Sequence, residues 1–463
     1  MLNGSELASG EGFKDRFAKK LSFSLFYKFI KARKQYIFNN KIPQYTCLCE
    51  VCENTVLLAK GLNQACKLSI PVDPHSIVEE YSCSSDSKTC MMSLCEDCKP
   101  HGLVYEDFDI ENLTDSNESD GELDDGVSCT YFQWKKGSDG YLTKFQMRTD
   151  IEESLVSWQN RVEIIKAHIY TKRRQFAEIK RITDELGKDE IMIHLDYSEN
   201  YKCKQQNEIQ SAYFGNKGFS LFTACAYHSK DGKLSKMSIT VTTEENDKSR
   251  VASMSCVNKV IGHVREKLDR QISRVHIVSD GCSAQFRSRF VFNLLIHFQK
   301  DLQLEWHYNE AHHGKGPMDG IGGTIKNLVH RKVMSNAVVI NSPEEFASCA
   351  NEISNVDCLF LRKEDVLKEP EEVSKAIPIP TTMKIHRVKR VKQESSFENE
   401  FFFLSEDSKP FFTRKYGIQC GHKVMNLANN NLCNYCENQY IEDEEWMQCS
   451  TCSQWYHEQC FYK

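Results

Sequence analysis

Residues 191–201 read IMIHLDYSENY, and residues 274–290 read RVHIVSDGCSAQFRSRF. Each opens as a run of apolar and β-branched residues, and each run closes on an aspartate, Asp196 in the first and Asp280 in the second. Ile191, Ile193 and Leu195 alternate with Met192, His194 and Asp196, and Val275 and Ile277 alternate with His276, Val278 and Asp280. Neither side is consistently polar until the last residue. Strands of this kind lie inside a parallel or mixed sheet covered on both faces, so each is expected to carry a carboxylate to the sheet edge.

Working outward, GFSLFTACAYHS and KMSITVTTEEN read as two further strands joined by a polar Lys-Asp-Gly-Lys turn. Arg250 to Arg270 has the length of a crossover helix, and QFRSRFVFNLLIHFQKDL reads as a helix apolar over most of its circumference. A third stretch, EWHYNEAHHGKGPMDGIGGTIKNLVHR at 305–331, begins as a strand and takes up helical spacing from Asp319. On a helical wheel Ile321, Ile325, Leu328 and Val329 share one side, and Asp319, Gly323, Lys326 and His330 the other. The fold class is therefore α/β, a mixed sheet flanked by helices.

Three carboxylates arriving from two strands and one helix, with Asp-Tyr-Ser-Glu-Asn-Tyr, Ser-Asp-Gly and His-Gly-Lys-Gly-Pro-x-Asp-Gly-x-Gly-Gly around them, resemble the triad of DDE-type cut-and-paste DNA transposases. The resemblance covers roughly residues 189–335 and implies an RNase H-like core with Asp196, Asp280 and Asp319 as its catalytic acids. Two hard divalent cations about 4 Å apart, Mg2+ or Mn2+, need carboxylates to hold them during phosphoryl transfer on DNA. Glu310 is the alternative third acid, at a strand end rather than on the following helix. His313, Lys315 and Lys326 are candidate phosphate or DNA contacts. His194 and His276 share strand faces with the aspartates, as ligands of a mixed site or as satisfied neighbours. Gly320, Gly322 and Gly323 call for close approach by a backbone or a nucleic acid, because glycine inside a helix costs roughly 1 kcal/mol relative to alanine.

With 463 residues and 40% hydrophobic content the chain can hold two or three domains. Its formal charge of −6 does not announce nucleic-acid binding, so local charge must carry that reading. No apolar signal core or membrane-length run is seen, and a reduced, intracellular compartment without membrane attachment is expected for a chain with 21 cysteines. Composition divides it into an N-terminal segment (1–40), a cysteine-rich zinc module (41–105), an acidic disordered linker (106–140), a basic helical segment (141–188), the core (189–345), an extension with a basic cluster (346–427) and a finger-like tail (428–463). In the cysteine-rich module Cys49-x2-Cys52 and Cys95-x2-Cys98 are knuckle-like pairs, and one tetrahedral zinc site made from both is the simplest arrangement. The basic run from Lys172 to Arg181 is a solvated face or a phosphate-contacting helix. The cluster KIHRVKRVK at 384–392 suits nuclear import or DNA phosphates, or a purely structural role.

In the tail, Cys433-x2-Cys436, Cys449-x2-Cys452 and His457-x2-Cys460, with Trp446 ahead of the second pair, resemble a PHD finger. The resemblance implies one complete zinc site from Cys433, Cys436, His457 and Cys460. It also implies a second site in which Cys449 and Cys452 have no further pair before Lys463, and histone tails or chromatin as partners. Together the resemblances imply a nuclear, transposon-derived protein that cleaves and transfers DNA strands as a homo-oligomer on DNA. A domesticated, catalytically silent DNA- or chromatin-binding descendant and an RNase H-like nuclease without strand transfer are the alternatives.

Overall fold

The computed structural model describes residues 49–98, 128–211, 218–244, 246–310, 316–374, 376, 379, 381–392, 397–416, 446–448 and 455–457. The expected N-terminal segment and most of the finger-like tail lie outside the described residues, as do His313, Lys315 and the cysteines from Cys433 to Cys460.

Helix α1 (Glu50–Cys66) is followed by two short helices, α2 (Pro74–Glu80) and α3 (Lys88–Met91). A hairpin of β1 (Ser128–Lys136) and β2 (Leu142–Asp150) then leads into the long α4 (Ile151–Asp184). Two boundaries differ from the sequence reading. Residues 128–136 belong to a strand rather than to a linker, and 142–150 form its partner rather than the start of the helix. The reason is tertiary: Cys129 and Tyr131 bury against α1, whose Gly61 has no room for a Cβ, which would sit 2.6 Å from that of Tyr131. The Asn54 side chain also brackets the Trp134 backbone, donating to its carbonyl at 2.9 Å and accepting from its amide at 2.7 Å. A weak alternation is thereby held as a strand that propensity alone would not fix.

The core sheet is built from β3 (Glu190–Lys202), β4 (Gly218–Lys230), β5 (Lys233–Thr243), β6 (Arg274–Ser279), β7 (Gln303–Tyr308), β8 (Asp357–Leu361), β9 (Arg387–Lys392), β10 (Phe397–Phe402) and β11 (Phe412–Tyr416). Their order is β11-β10-β9-β7-β6-β3-β4-β5-β8. The β3-β4-β5 pairs are antiparallel, β6 and β7 run parallel to β3, and β8 runs parallel to β5. The β4–β5 turn has left-handed Asp231 and Gly232 (φ 53° and 73°), the Asp-Gly form that suits a tight hairpin. The extension beyond residue 345 is no separate appendage, since β8 to β11 complete both edges of this sheet.

One face, carrying Ile191, Ile193, Leu195, Ile277 and Trp306, is covered by α5 (Arg250–Leu268) and α6 (Arg289–His297). On the other, Ile179 and Ile182 of α4 meet Met192 and Val278, and α7 (Pro317–Met334) and α8 (Pro343–Ile353) pack around Tyr201, Phe219 and Leu221. A bulge between Ser198 and Tyr201 shifts the side-chain alternation so that Tyr201 joins that second face.

Two arginines of the basic cluster at 384–392, Arg387 and Arg390, are taken up by this architecture. Arg390 is buried, and its guanidinium donates to the carbonyls of Leu295, Gln299 and Leu302 at 2.6, 2.7 and 2.5 Å and also to Phe298, gathering the end of α6 and the turn after it. Three residues of the run on α4 are likewise paired, Lys180 with Asp184 at 2.5 Å, Arg181 with Glu178 and Glu185, and Arg174 with Glu406. Arg390→Ala should destabilise the chain by about 3 kcal/mol, because it orphans several buried carbonyls. Arg390→Lys should recover less than half of that, since one ammonium cannot reach so many acceptors. Urea denaturation of the three proteins checks this, and equal midpoints for wild type and Arg390→Ala would refute it.

Candidate functional site

Parallel pairing of β3 with β6 runs from Glu190 opposite Arg274 to His194 opposite Val278. Continuing that register by two residues brings Asp196 and Asp280 level, on adjacent strands pointing the same way. Asp280 stands just past the end of β6 as expected. Asp196 does not end its strand: β3 runs on to Lys202, held by antiparallel β4 alone once β6 has stopped.

Asp319 lies in the first turn of α7, behind Pro317. Gly322, three residues on and so on the same side of the helix, has no room for a Cβ, which would stand 2.7 Å from the Ser198 Cβ and 3.4 Å from Thr223. The helix is thus pressed onto β3 at Ser198, two residues beyond Asp196, with Asp319 one turn toward the open end. Asp319 is exposed, while Met318, Ile321, Ile325 and Val329 form the buried stripe. Its charge acts on Asp196 together with that of Asp280. Of the three glycines, Gly322 answers to close approach, whereas a Cβ at Gly320 or Gly323 would meet open space.

Burial is the main cause that pushes the Asp196 carboxyl up to about 6, with the charges of Asp280 and Asp319 adding to it and Lys248 opposing. Asp280 is raised by burial against the pull of the Cys282 amide and Arg287. Arg287 is itself buried and lies across Gly281, where a Cβ would fall 2.5 Å from its Cζ. The glycine after Asp280 therefore makes room for a cation next to the acid. The triad's oxygens are spread more widely than a closed single-ion site, for no group within 4.8 Å contains all three among the described residues.

Glu310, the alternative third acid, is engaged elsewhere. His168 Nδ1 lies 3.2 Å from one of its oxygens and His386 Nε2 lies 2.8 Å from the other. Despite burial, these bonds hold its carboxyl far below the usual range. Lys326 reaches back to β3, donating to the Glu199 carbonyl at 3.1 Å. Among the described residues, His194 Nε2, His276 Nδ1 and both nitrogens of His307 are buried without a hydrogen-bond partner, and burial pushes His194 down to about 4 and lowers the other two. These imidazoles are neutral near pH 7. His276, Glu305 and His307 also bring ligand atoms within 4.8 Å of one another.

The cysteine-rich region could hold zinc, but not through the single site expected from spacing. Cys95 and Cys98 join Cys83 and Cys90, all four ligand atoms lying within 4.8 Å of one another, whereas Cys49 and Cys52 join His168 of α4. The separation has a local cause: Cys49 and Cys52 open α1, while the other four bracket α3. No disulfide joins the described cysteines. His168 carries no signal in the sequence, since its partners lie 119 and 142 residues away.

An acid whose pKa is raised on folding stabilises the fold below its unfolded value, here 3.8, and loses that contribution as pH rises through about 6. The metal-free Asp196→Asn chain should therefore gain on the order of 1–2 kcal/mol over the wild type above pH 7, and the gain should vanish near pH 4. Chemical denaturation across that range in a chelator checks it. A difference that does not change with pH would show that the carboxyl is not raised.

Residues 175–398 match a family model described as Domain of unknown function (DUF8701). The match takes in Asp196, Asp280, Asp319 and Glu310 but excludes His168 and both cysteine groups. No curated protein matches the chain.

Proposed function

We propose that the core is an RNase H-like catalytic domain of the DDE transposase type, cleaving and transferring DNA strands with Asp196, Asp280 and Asp319 as its acids. The observation that carries this is the order β5-β4-β3-β6-β7, an antiparallel meander followed by two parallel strands, with Asp196 and Asp280 on the adjoining parallel pair. The third acid stands at the start of the helix pressed onto the same strand.

The donor set fits hard cations: carboxylates only, one of them raised by burial and by its two acidic neighbours, which is relieved by positive charge. Asp196, Asp280 and Asp319 would hold Mg2+ or Mn2+, which when bound activate the attacking oxygen and stabilise the leaving one. The protein's own contribution is positional. Arg287 holds the Asp280 loop down, Tyr197 packs between Phe222 and Phe286, and Lys248 lies 5.2 Å from the Tyr197 ring centroid, a cation within reach of a phosphate beside Asp196. No helix of the described residues is long and apolar enough to cross a membrane. A nuclear site of action and an assembly of several copies on DNA accord with this reading.

Wild-type chain should nick supercoiled plasmid in Mn2+, and Asp196→Asn or Asp280→Asn should reduce the rate at least a thousandfold while leaving DNA retention equal or stronger, because the substitution removes a negative charge. Mn2+ should also raise the melting temperature of the wild type and not that of Asp196→Asn. Nicking at the wild-type rate by Asp196→Asn would end the catalytic reading. Tight DNA binding without cutting by the wild type would favour the silent descendant.

A further inference from the structure

Cys49 is the N-cap of α1, and its sulfur accepts the amide of Cys52 at 3.4 Å. Both cysteines are buried, at 3% and 0% exposure. From the other side His168, on the middle of α4, aims Nε2 at Cys49 Sγ across 3.2 Å. The three ligand atoms lie within 4.8 Å of one another. A sulfur and an imidazole nitrogen on one tetrahedral zinc stand about 3.5 Å apart, given bonds of about 2.3 and 2.0 Å, so the group is already near ligating geometry.

The second nitrogen of His168 provides an independent observation. Nδ1 lies 3.2 Å from a Glu310 oxygen, and Glu310 is gripped in turn. His386 Nε2 holds its other oxygen at 2.8 Å, and its backbone amide donates to Gln175 Oε1 at 2.7 Å. An imidazole with one nitrogen toward thiols and the other on a fixed carboxylate is arranged as metal-bound histidines are, the carboxylate setting tautomer and ring orientation.

We propose that Cys49, Cys52 and His168 hold a zinc ion, with Glu310 as the outer carboxylate, and that the ion latches α1 to the core sheet. Two thiolates balance the charge of the ion, and the protons they give up leave to solvent on binding. The three residues fill three corners of the tetrahedron. The latch explains why Glu310, just past the end of a core strand, faces His168 of α4 and His386, the residue before β9, rather than the aspartates. It does not depend on the catalytic reading.

Zinc per full-length chain, counted by plasma mass spectrometry on the folded fraction, tests it. His168→Gln should lower the count by one relative to wild type, His168→Cys should restore it, and Cys90→Ser/Cys95→Ser should remove a different ion. Glu310→Gln should keep the count but yield that ion to a chelator 10- to 100-fold more readily. A folded His168→Gln chain with the wild-type count would overturn the proposal. Should that variant fail to fold, alkylation decides: in the Cys90→Ser/Cys95→Ser background, chelation should open Cys49 and Cys52 to maleimide. Unchanged protection of both after chelation would overturn it as well.

Discussion

The parallel pairing of β3 with β6 is the constraint on which the rest depends. Both strands are buried on both faces and point the same way, so whatever follows their last paired row is delivered to one spot. Two carboxylates delivered there repel each other in a medium that screens them poorly, and the surrounding structure reads as a response to that. Arg287 lies across Gly281 beside one acid, Lys248 stands near the other, and α7 starts close enough for Asp319 to add to the same field. Nothing in the packing of α5 and α6 on the opposite face requires these charges. They are a cost that the apolar side of the sheet must offset.

The face shared by the aspartates is unusual further down as well. Under α4 it carries His194, His276 and His307, buried and neutral, with four ring nitrogens that lack partners among the described residues. An unbonded buried nitrogen costs on the order of 1–3 kcal/mol. Such a layer is tolerable because the other face of the same strands is a continuous cluster from Ile191 to Val388. Stability and site chemistry are thus divided between the two faces, and the period of two along each strand does the dividing.

The elements legible in the sequence were those whose pattern was local and strong. β4, β5 and their Asp-Gly turn, the crossover helix α5 and the apolar α6 follow from periodicity and turn chemistry. Asp196 and Asp280 were legible for the same reason, each closing an apolar run. Legibility failed where one residue's meaning was set by another far along the chain. β1 is a strand because Asn54 and Gly61 of α1 make it one. Arg390 looks like part of a basic signal until the carbonyls after α6 are seen around it. Cys95 and Cys98 looked like partners of Cys49 and Cys52 because spacing within a pair says nothing about which pairs meet.

The position of α4 bears on where the chain divides. Its 34 residues form one unbroken helix, about 50 Å long at 1.5 Å per residue. Leu155, Trp158 and Ile165 are buried toward its N-terminal half, where Tyr81 of the cysteine-rich part stacks edge-on against Trp158 at 5.7 Å, while Ile179 and Ile182 lie on the core sheet. The two regions are therefore joined by a continuous helix and not by a linker. The match to the family model begins at residue 175, partway along this helix. The cysteine-rich region thus meets the core at a defined point, where His168 bonds Glu310 just past the end of β7, next to the strand that leads to Asp280.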